Sequence, residues 1–173
     1  MPLLLSIMLT ILVGDPPGSD LDKVRQVFHE AVMDTEKIRD FHEYIWQIEE
    51  NDPVIYAYQA ASEAMLTQLS WNPFKKYDQI KKYDEIMMEA VSEDSANIEI
   101  RFIRLSIEYH IPKFLGMSDH LESDRDYIME NLQNVSKLEL DPDFTRYILY
   151  FMAETGLCDE KKLARIEAQL PVH

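Results

Sequence analysis

Four polar side chains recur at helical spacing along one stretch of the chain. Asn97, Arg101, Arg104 and Glu108 are separated by four, three and four residues, so in a helix they form one polar ridge. Two arginines on one ridge can hold a carboxylate or a phosphate through paired N–H donors. The spacing is therefore compatible with two alternatives. The ridge either binds a partner, or forms an internal network in which the arginines pair with Glu108 and with acidic side chains of adjacent helices.

A second candidate site surrounds a turn that follows this stretch. His110 and His120 flank the segment 112–116, and Tyr109 precedes it directly. Imidazoles can bind metals or transfer protons near neutral pH, so these three residues predict an alternative pocket for a small ligand or a reaction. Helix-capping or surface roles are the competing interpretation. No HExxH motif or other third ligand accompanies the histidines, so we assign no metal site, no cofactor and no catalytic residue.

Several common chemistries lack their motifs in this sequence. There is no GxSxG, no glycine-rich phosphate loop and no CxxC pair, and the chain has only four glycines. Cys158 is the single cysteine, so no disulfide can form within the chain. We interpret it as a structural residue near the start of the last helix. The protein is therefore predicted not to be an enzyme.

The charge balance restricts the partners. The chain has 17 basic and 32 acidic residues, a formal net charge of −15. Such a surface repels phosphate backbones, which argues against nucleic acid and also against anionic lipid. The acidic residues either form a well-solvated surface or offer an acidic face to a basic partner or to cations.

The first residues resemble an export signal. Residues 2–13 are mainly apolar and are followed by the small residue Gly14 and a polar linker. This run is shorter than the roughly 20 residues needed to span a bilayer, so we expect no stable membrane insertion. We predict a signal peptide with a short linker over 1–18, one helical domain over 19–173, and a periplasmic or extracellular location. The alternative is a cytoplasmic protein whose uncleaved apolar helix packs on the domain.

The elements that must position these residues are helices. Asp52-Pro53, Asn72-Pro73 and Asp141-Pro142 each combine a capping side chain with proline at the first helical position. The apolar periodicity predicts about eight antiparallel helices in stacked hairpins, an all-α fold. The second helix is predicted to end at 49–51, the fifth to run from Asn97 to Tyr109 with two apolar faces, and the sixth to span 119–135. Predicted core positions include Val32 in the first helix, Phe74 and Tyr77 in the fourth, and Tyr127 or Ile128 in the sixth.

The middle of the chain resembles a degenerate tetratricopeptide repeat. Phe102, Leu105, Ser106 and Tyr109 have the large, large, small and aromatic types of the first repeat helix at the right spacing. The pattern recurs about 44 residues earlier as Tyr58, Ala61, Ser62 and Met65, a longer period than the usual one of about 34 residues. This resemblance implies stacked helical hairpins.

Three strings resemble segments of a family of uncharacterised exported helical proteins from Bacteroidetes bacteria. They are NPFKK, NIEIRFIRLSI and IPKFLG, at 72–76, 97–107 and 111–116. The resemblance covers about residues 20 to 160. It implies a signal peptide followed by a compact helical domain, and no catalytic residues.

Stacked hairpins create concave surfaces that bind partners. We therefore expect an exported helical scaffold that presents a groove to a protein or peptide. A small-ligand protein or enzyme using the turn around His110 and His120 is the alternative. A third possibility is a structural subunit, for which a large apolar surface patch is expected.

Overall fold

The computed structural model describes residues 20–49, 51–112, 115–133 and 140–170. The predicted signal peptide over 1–18 lies outside these ranges. Within them the chain forms eight α-helices and two short 3-10 turns and has no strand, which confirms the all-α prediction. The helices are α1 (Asp20–Met33), α2 (Ile38–Ile45), α3 (Pro53–Leu66), α4 (Pro73–Glu93), α5 (Ile98–His110), α6 (Leu121–Leu132), α7 (Pro142–Glu154) and α8 (Glu160–Glu167).

Three helices start where the cap-plus-proline pairs predicted. The side chain of Asp52 accepts the N–H of Val54 at 2.7 Å. Asn72 and Asp141 accept N–H groups of the first turns of α4 and α7 in the same way, at 2.9 and 2.8 Å. Each cap satisfies a backbone donor that the helix leaves unpaired.

Two predicted helix ends differ from the structure. The second helix ends at Ile45 rather than at 49–51, because Trp46 and Gln47 turn the chain away from the helix axis. The sixth helix, predicted to span 119–135, ends at Leu132, and residue 135 lies outside the described residues. Ile128 is buried and Tyr127 is only partly covered, so Ile128 is the inward residue of the two alternatives.

Helix α3 is the centre of one hydrophobic core. It packs against α2, α4 and α5, and nearly all of its residues are buried. Small side chains allow the close approach, and they occupy much of its length: Ala57, Ala60, Ala61, Ser62 and Ala64. The core formed by α1 to α4 depends on this helix.

Helix α5 joins this core to a second one. Its Ile100 and Ile103 pack with α1 to α4. Phe102 and Leu105 pack with residues of α6, α7 and α8. The prediction that α5 has two apolar faces is therefore confirmed.

Three predicted core residues are exposed instead. Phe74, Tyr77 and Val32 have exposed fractions of 79%, 50% and 45%. Helix α4 has 21 residues and α3 has 14, a difference of about 10 Å in length. The first turns of α4 therefore extend beyond the core, and every residue from 71 to 78 is exposed. Apolar periodicity identified the inner face of α4 but not where the core ends.

Candidate functional site

Asn97, the first residue of the predicted ridge, caps a helix. Its Oδ1 accepts the backbone N–H groups of Glu99 at 3.0 Å and Ile100 at 3.3 Å. The side-chain amide also donates to Asp94 at 3.1 Å. Asn97 therefore fixes the start of α5 and has no free amide oxygen for a partner.

The two arginines of the ridge bind one carboxylate of α6. Arg104 donates from Nε and Nη2 to the two oxygens of Asp124, at 2.6 and 2.8 Å. Arg101 donates from Nη1 to the same carboxylate at 2.8 Å, and its guanidinium lies 4.1 Å from the centre of the Tyr127 ring. Asp124 is completely buried and Arg104 nearly so. Burial lowers the pKa of Arg104, but the hydrogen bonds that it donates to Asp124, together with the nearby negative charges of Asp124 and Glu108, outweigh burial and raise the pKa.

Glu108 is also bound within the domain. Its Oε2 accepts the backbone N–H of His120 at 3.0 Å, and its Oε1 lies 2.9 Å from Nδ1 of the same histidine. The carboxylate is buried. Burial raises the pKa of Glu108 more than the contacts with His120 lower it. Glu108 thus joins the end of α5 to the start of α6.

Each of these four side chains is therefore bonded within the domain. The pairing of the arginines with an acidic side chain of an adjacent helix agrees with the second alternative predicted for the ridge. The predicted pairing of the arginines with Glu108 does not occur, because Glu108 binds His120 instead. Asp124, which holds both arginines, was not singled out by the sequence, because it lies 20 positions from Arg104 among many other acidic residues.

The three residues of the alternative pocket point to different surroundings. His120 is bound to Glu108. Tyr109 packs edge-on against His110 and Phe151, with ring centres 5.2 and 5.9 Å apart. Only His110 lines a cavity. The three side chains do not converge on one point, as a reaction centre would require.

His110 lines a large concave feature of the described part of the chain. It is a groove of about 1070 Å³. Its walls come from α1, α3, α4, α5 and α7, with no residue from α2, α6 or α8. The principal apolar residues that line it are Phe28, Val32, Met33, Met65, Tyr77, Ile80, Ile107, Ile111, Tyr147, Tyr150 and Phe151.

The groove exposes large apolar side chains to solvent. Met33 is 74% exposed and Tyr150 63%, although both are large apolar residues on amphipathic helices. Tyr77 and Val32, which were predicted to be core residues, also line this groove. An exposed apolar concavity of this kind is a common feature of binding sites.

Charged groups on two walls of the groove are free. Lys76 on α4 and Glu154 on α7 both line it, and neither makes an ion pair among the described residues. They present opposite charges to whatever lies between the walls.

A smaller cavity continues the groove towards the start of α1. It has a volume of about 320 Å³ and shares Phe28, His29 and Tyr147 with the groove. The rings of His29 and Tyr147, which line both cavities, contact each other edge to face, with centres 5.6 Å apart.

A buried charge cluster supports the wall of this smaller cavity. Arg25 donates to both oxygens of Glu99 at 2.8 and 2.7 Å, and the Tyr58 hydroxyl donates to Glu99 at 2.8 Å. These bonds raise the pKa of Arg25. Burial, followed by the charge of Glu99, raises the pKa of Tyr58. The cluster satisfies itself, so its role is to join α1, α3 and α5.

Neither a metal site nor a membrane span is found among the described residues. No three side chains of the types that bind metals lie together there. No helix in the same ranges is long and apolar enough to cross a bilayer.

Comparison of the chain with protein-family models, curated proteins and solved structures found no match.

Proposed function

We propose that this protein is an exported, non-enzymatic interaction module that binds an amphipathic helix of a partner protein in the apolar groove. The observation that carries the proposal is the exposure of Val32, Met33, Tyr77 and Tyr150 in one concavity. Burying these side chains on a partner gains about 25 cal/mol for each Å² of apolar surface removed from water.

The chemistry of the groove defines the partner helix. Its apolar face, with residues at i, i+3, i+4 and i+7, contacts the aromatic and aliphatic walls. An acidic residue on one edge of that helix pairs with Lys76, and a basic residue on the other pairs with Glu154. These edge contacts set the direction in which the helix lies and add little affinity.

The size of the groove favours a peptide over a small molecule. Cavities for small ligands span about 300–1,000 Å³ and enclose most of the ligand. The groove has about 1070 Å³, and side chains on its walls remain open to solvent. A helix that keeps its polar face in water fits such a shape.

The arrangement of hairpins is also a proposal. Helices α1, α3, α5 and α7 would be the first helices of four tetratricopeptide-like hairpins, which line the concave side of such stacks. All four of these helices line the groove, and of the other helices only the long α4 does so, through its first turns. The lining by the four first helices supports this arrangement.

The proposed location rests on residues 1–18. A fusion of this segment to alkaline phosphatase, which is active only after export, should give enzyme activity in intact bacteria. Activity no higher than that of phosphatase without any signal would contradict export and leave the cytoplasmic alternative.

The binding proposal is tested with helical peptides selected by display on the full chain. Met33→Glu places a charge in the groove and should weaken binding of the selected peptides by at least about tenfold. Met88→Glu is the matched control, because Met88 is an exposed methionine of α4 outside the groove. Equal affinity for the two variants would contradict the groove as the site, as would failure to select any peptide.

A further inference from the structure

The outer side of the first turns of α4 carries an exposed aromatic tip, formed by Trp71, Phe74 and Lys75. Trp71 is 100% exposed and Phe74 79%. Neither aromatic residue lines the groove. Exposing two large apolar side chains to water to this extent is costly unless another surface covers them.

The tip lies in a basic stretch of an acidic chain. Residues 71–82 contain four lysines and one aspartate, a net charge of +3, whereas the whole chain has −15. Lys82 is bound to Glu63 at 2.6 Å, and Lys81 lies 3.6 Å from Glu85. Lys75 and Lys76 make no ion pair with the described residues, so their charges are available.

We propose that this aromatic tip docks on the surface of an anionic lipid bilayer. Tryptophan and phenylalanine favour the boundary between headgroups and acyl chains. Each nearby lysine adds attraction to anionic headgroups. The tip projects from the fold and offers no concavity, so it matches a fluid surface better than the shaped surface of an acidic protein.

The net negative charge of the protein does not prevent this contact. Charges more than about 8–10 Å from the bilayer are largely screened at physiological ionic strength. Lys75 is adjacent to Phe74 in the chain and is close to the bilayer surface when the two aromatic residues insert. The expectation from net charge, that anionic lipid repels the protein, therefore does not extend to this local surface.

The tip has a built-in fluorescent reporter. The chain contains two tryptophans, and Trp46→Phe leaves Trp71 as the only one. On phosphatidylglycerol-rich vesicles, we expect the emission of this full-length variant to shift to the blue and to be quenched by brominated lipid. On pure phosphatidylcholine vesicles the shift should be much smaller. Raising the salt concentration should reverse it, because the attraction of Lys75 is screened.

Two matched pairs of variants test the contributing residues. In the Trp46→Phe background, Lys75→Glu should weaken partition onto anionic vesicles by at least about tenfold. Lys161→Glu, a reversal at an exposed lysine of α8, should leave it unchanged. Phe74→Ser should also weaken it, whereas Met88→Ser at another exposed apolar residue of α4 should not.

Three results would overturn the proposal. The first is an unchanged Trp71 emission with every vesicle. The second is equal partition onto anionic and zwitterionic vesicles. The third is a shift produced by a polyglutamate peptide and not by vesicles, which would assign the tip to an acidic protein partner. Each result is independent of peptide binding in the groove.

Discussion

At the scale of single residues, the Asp124 carboxylate is the centre of a buried charge cluster. One completely buried carboxylate receives three hydrogen bonds from two arginines. Charged groups are stable in a protein interior only when they are paired and hydrogen-bonded. Removing this carboxylate leaves Arg104 buried beside Arg101 with no counterion.

We therefore predict that Asp124→Asn lowers the free energy of unfolding by about 3–5 kcal/mol. Urea unfolding followed by circular dichroism measures this value. Asp126→Asn is the control, because Asp126 lies on the same helix in an exposed ion pair with Arg125. It should cost less than about 1 kcal/mol. Similar losses in the two variants would show that the buried network does not stabilise the fold.

The sequence predicted the arginines of this network but not their partner. The spacing of Arg101 and Arg104 places them on one face of any helix, so the pair is visible in the sequence alone. The partner is set by how α5 packs on α6, which local spacing does not encode. With 32 acidic residues in the chain, no local feature distinguishes Asp124.

At the scale of helices, α5 connects the two hydrophobic cores. Its two apolar faces belong to two cores, and its last turn is joined to the start of α6 through Glu108 and His120. The ends of two helices are thus fixed to each other by a carboxylate whose protonation depends on pH.

The titration of Glu108 gives a pH-dependent prediction. Burial raises its pKa above the ordinary value of 4.5, so above pH 4.5 the folded state holds this proton more tightly than the unfolded chain does. The contribution of Glu108 to stability is therefore greatest at low pH and falls as the pH rises through the raised value. Relative to Glu108→Gln, the wild-type protein should lose free energy of unfolding as the pH rises above 4.5.

Urea unfolding of both proteins across this pH range measures that difference. Glu122→Gln, at an exposed position of α6, is the control and should follow the wild type at every pH. A difference between wild type and Glu108→Gln that stays constant, or that grows in favour of the wild type, would contradict a raised pKa.

The first residues of the helices were the most predictable from the sequence. Which helix faces are covered by other helices was the least predictable. The side chains of Asp52, Asn72 and Asp141 each accept a backbone N–H two or three residues further along the chain. The whole interaction therefore lies within three or four consecutive residues. The exposure of Phe74 depends on the length of α4 relative to α3. Periodicity shows which side of a helix is apolar, but not whether another element covers that side.

At the scale of the whole molecule, the groove is a product of packing and not of a motif. Its residues come from five helices spread between Phe28 and Glu154. Val32 was predicted from periodicity to be a core residue, but it is 45% exposed and lines the groove. The sequence thus identified apolar faces and predicted a concave surface from hairpin stacking, but could not place that surface.

The two proposed surfaces use different sides of α4. Tyr77 faces the groove, whereas Phe74 lies on the outer side of the same turns. Groove variants should therefore leave vesicle binding intact, and tip variants should leave peptide binding intact.

The most direct test of the groove uses the methionine methyl groups as local probes. The chain has nine methionines. Met33 and Met65 line the groove, whereas Met88 and Met129 lie outside it. In a full-length protein with labelled methionine methyl groups, titration with a selected helical peptide should shift the NMR signals of Met33 and Met65 saturably. The signals of Met88 and Met129 should stay in place. Saturable shifts at Met88 or Met129, with Met33 and Met65 unchanged, would contradict the groove as the binding site.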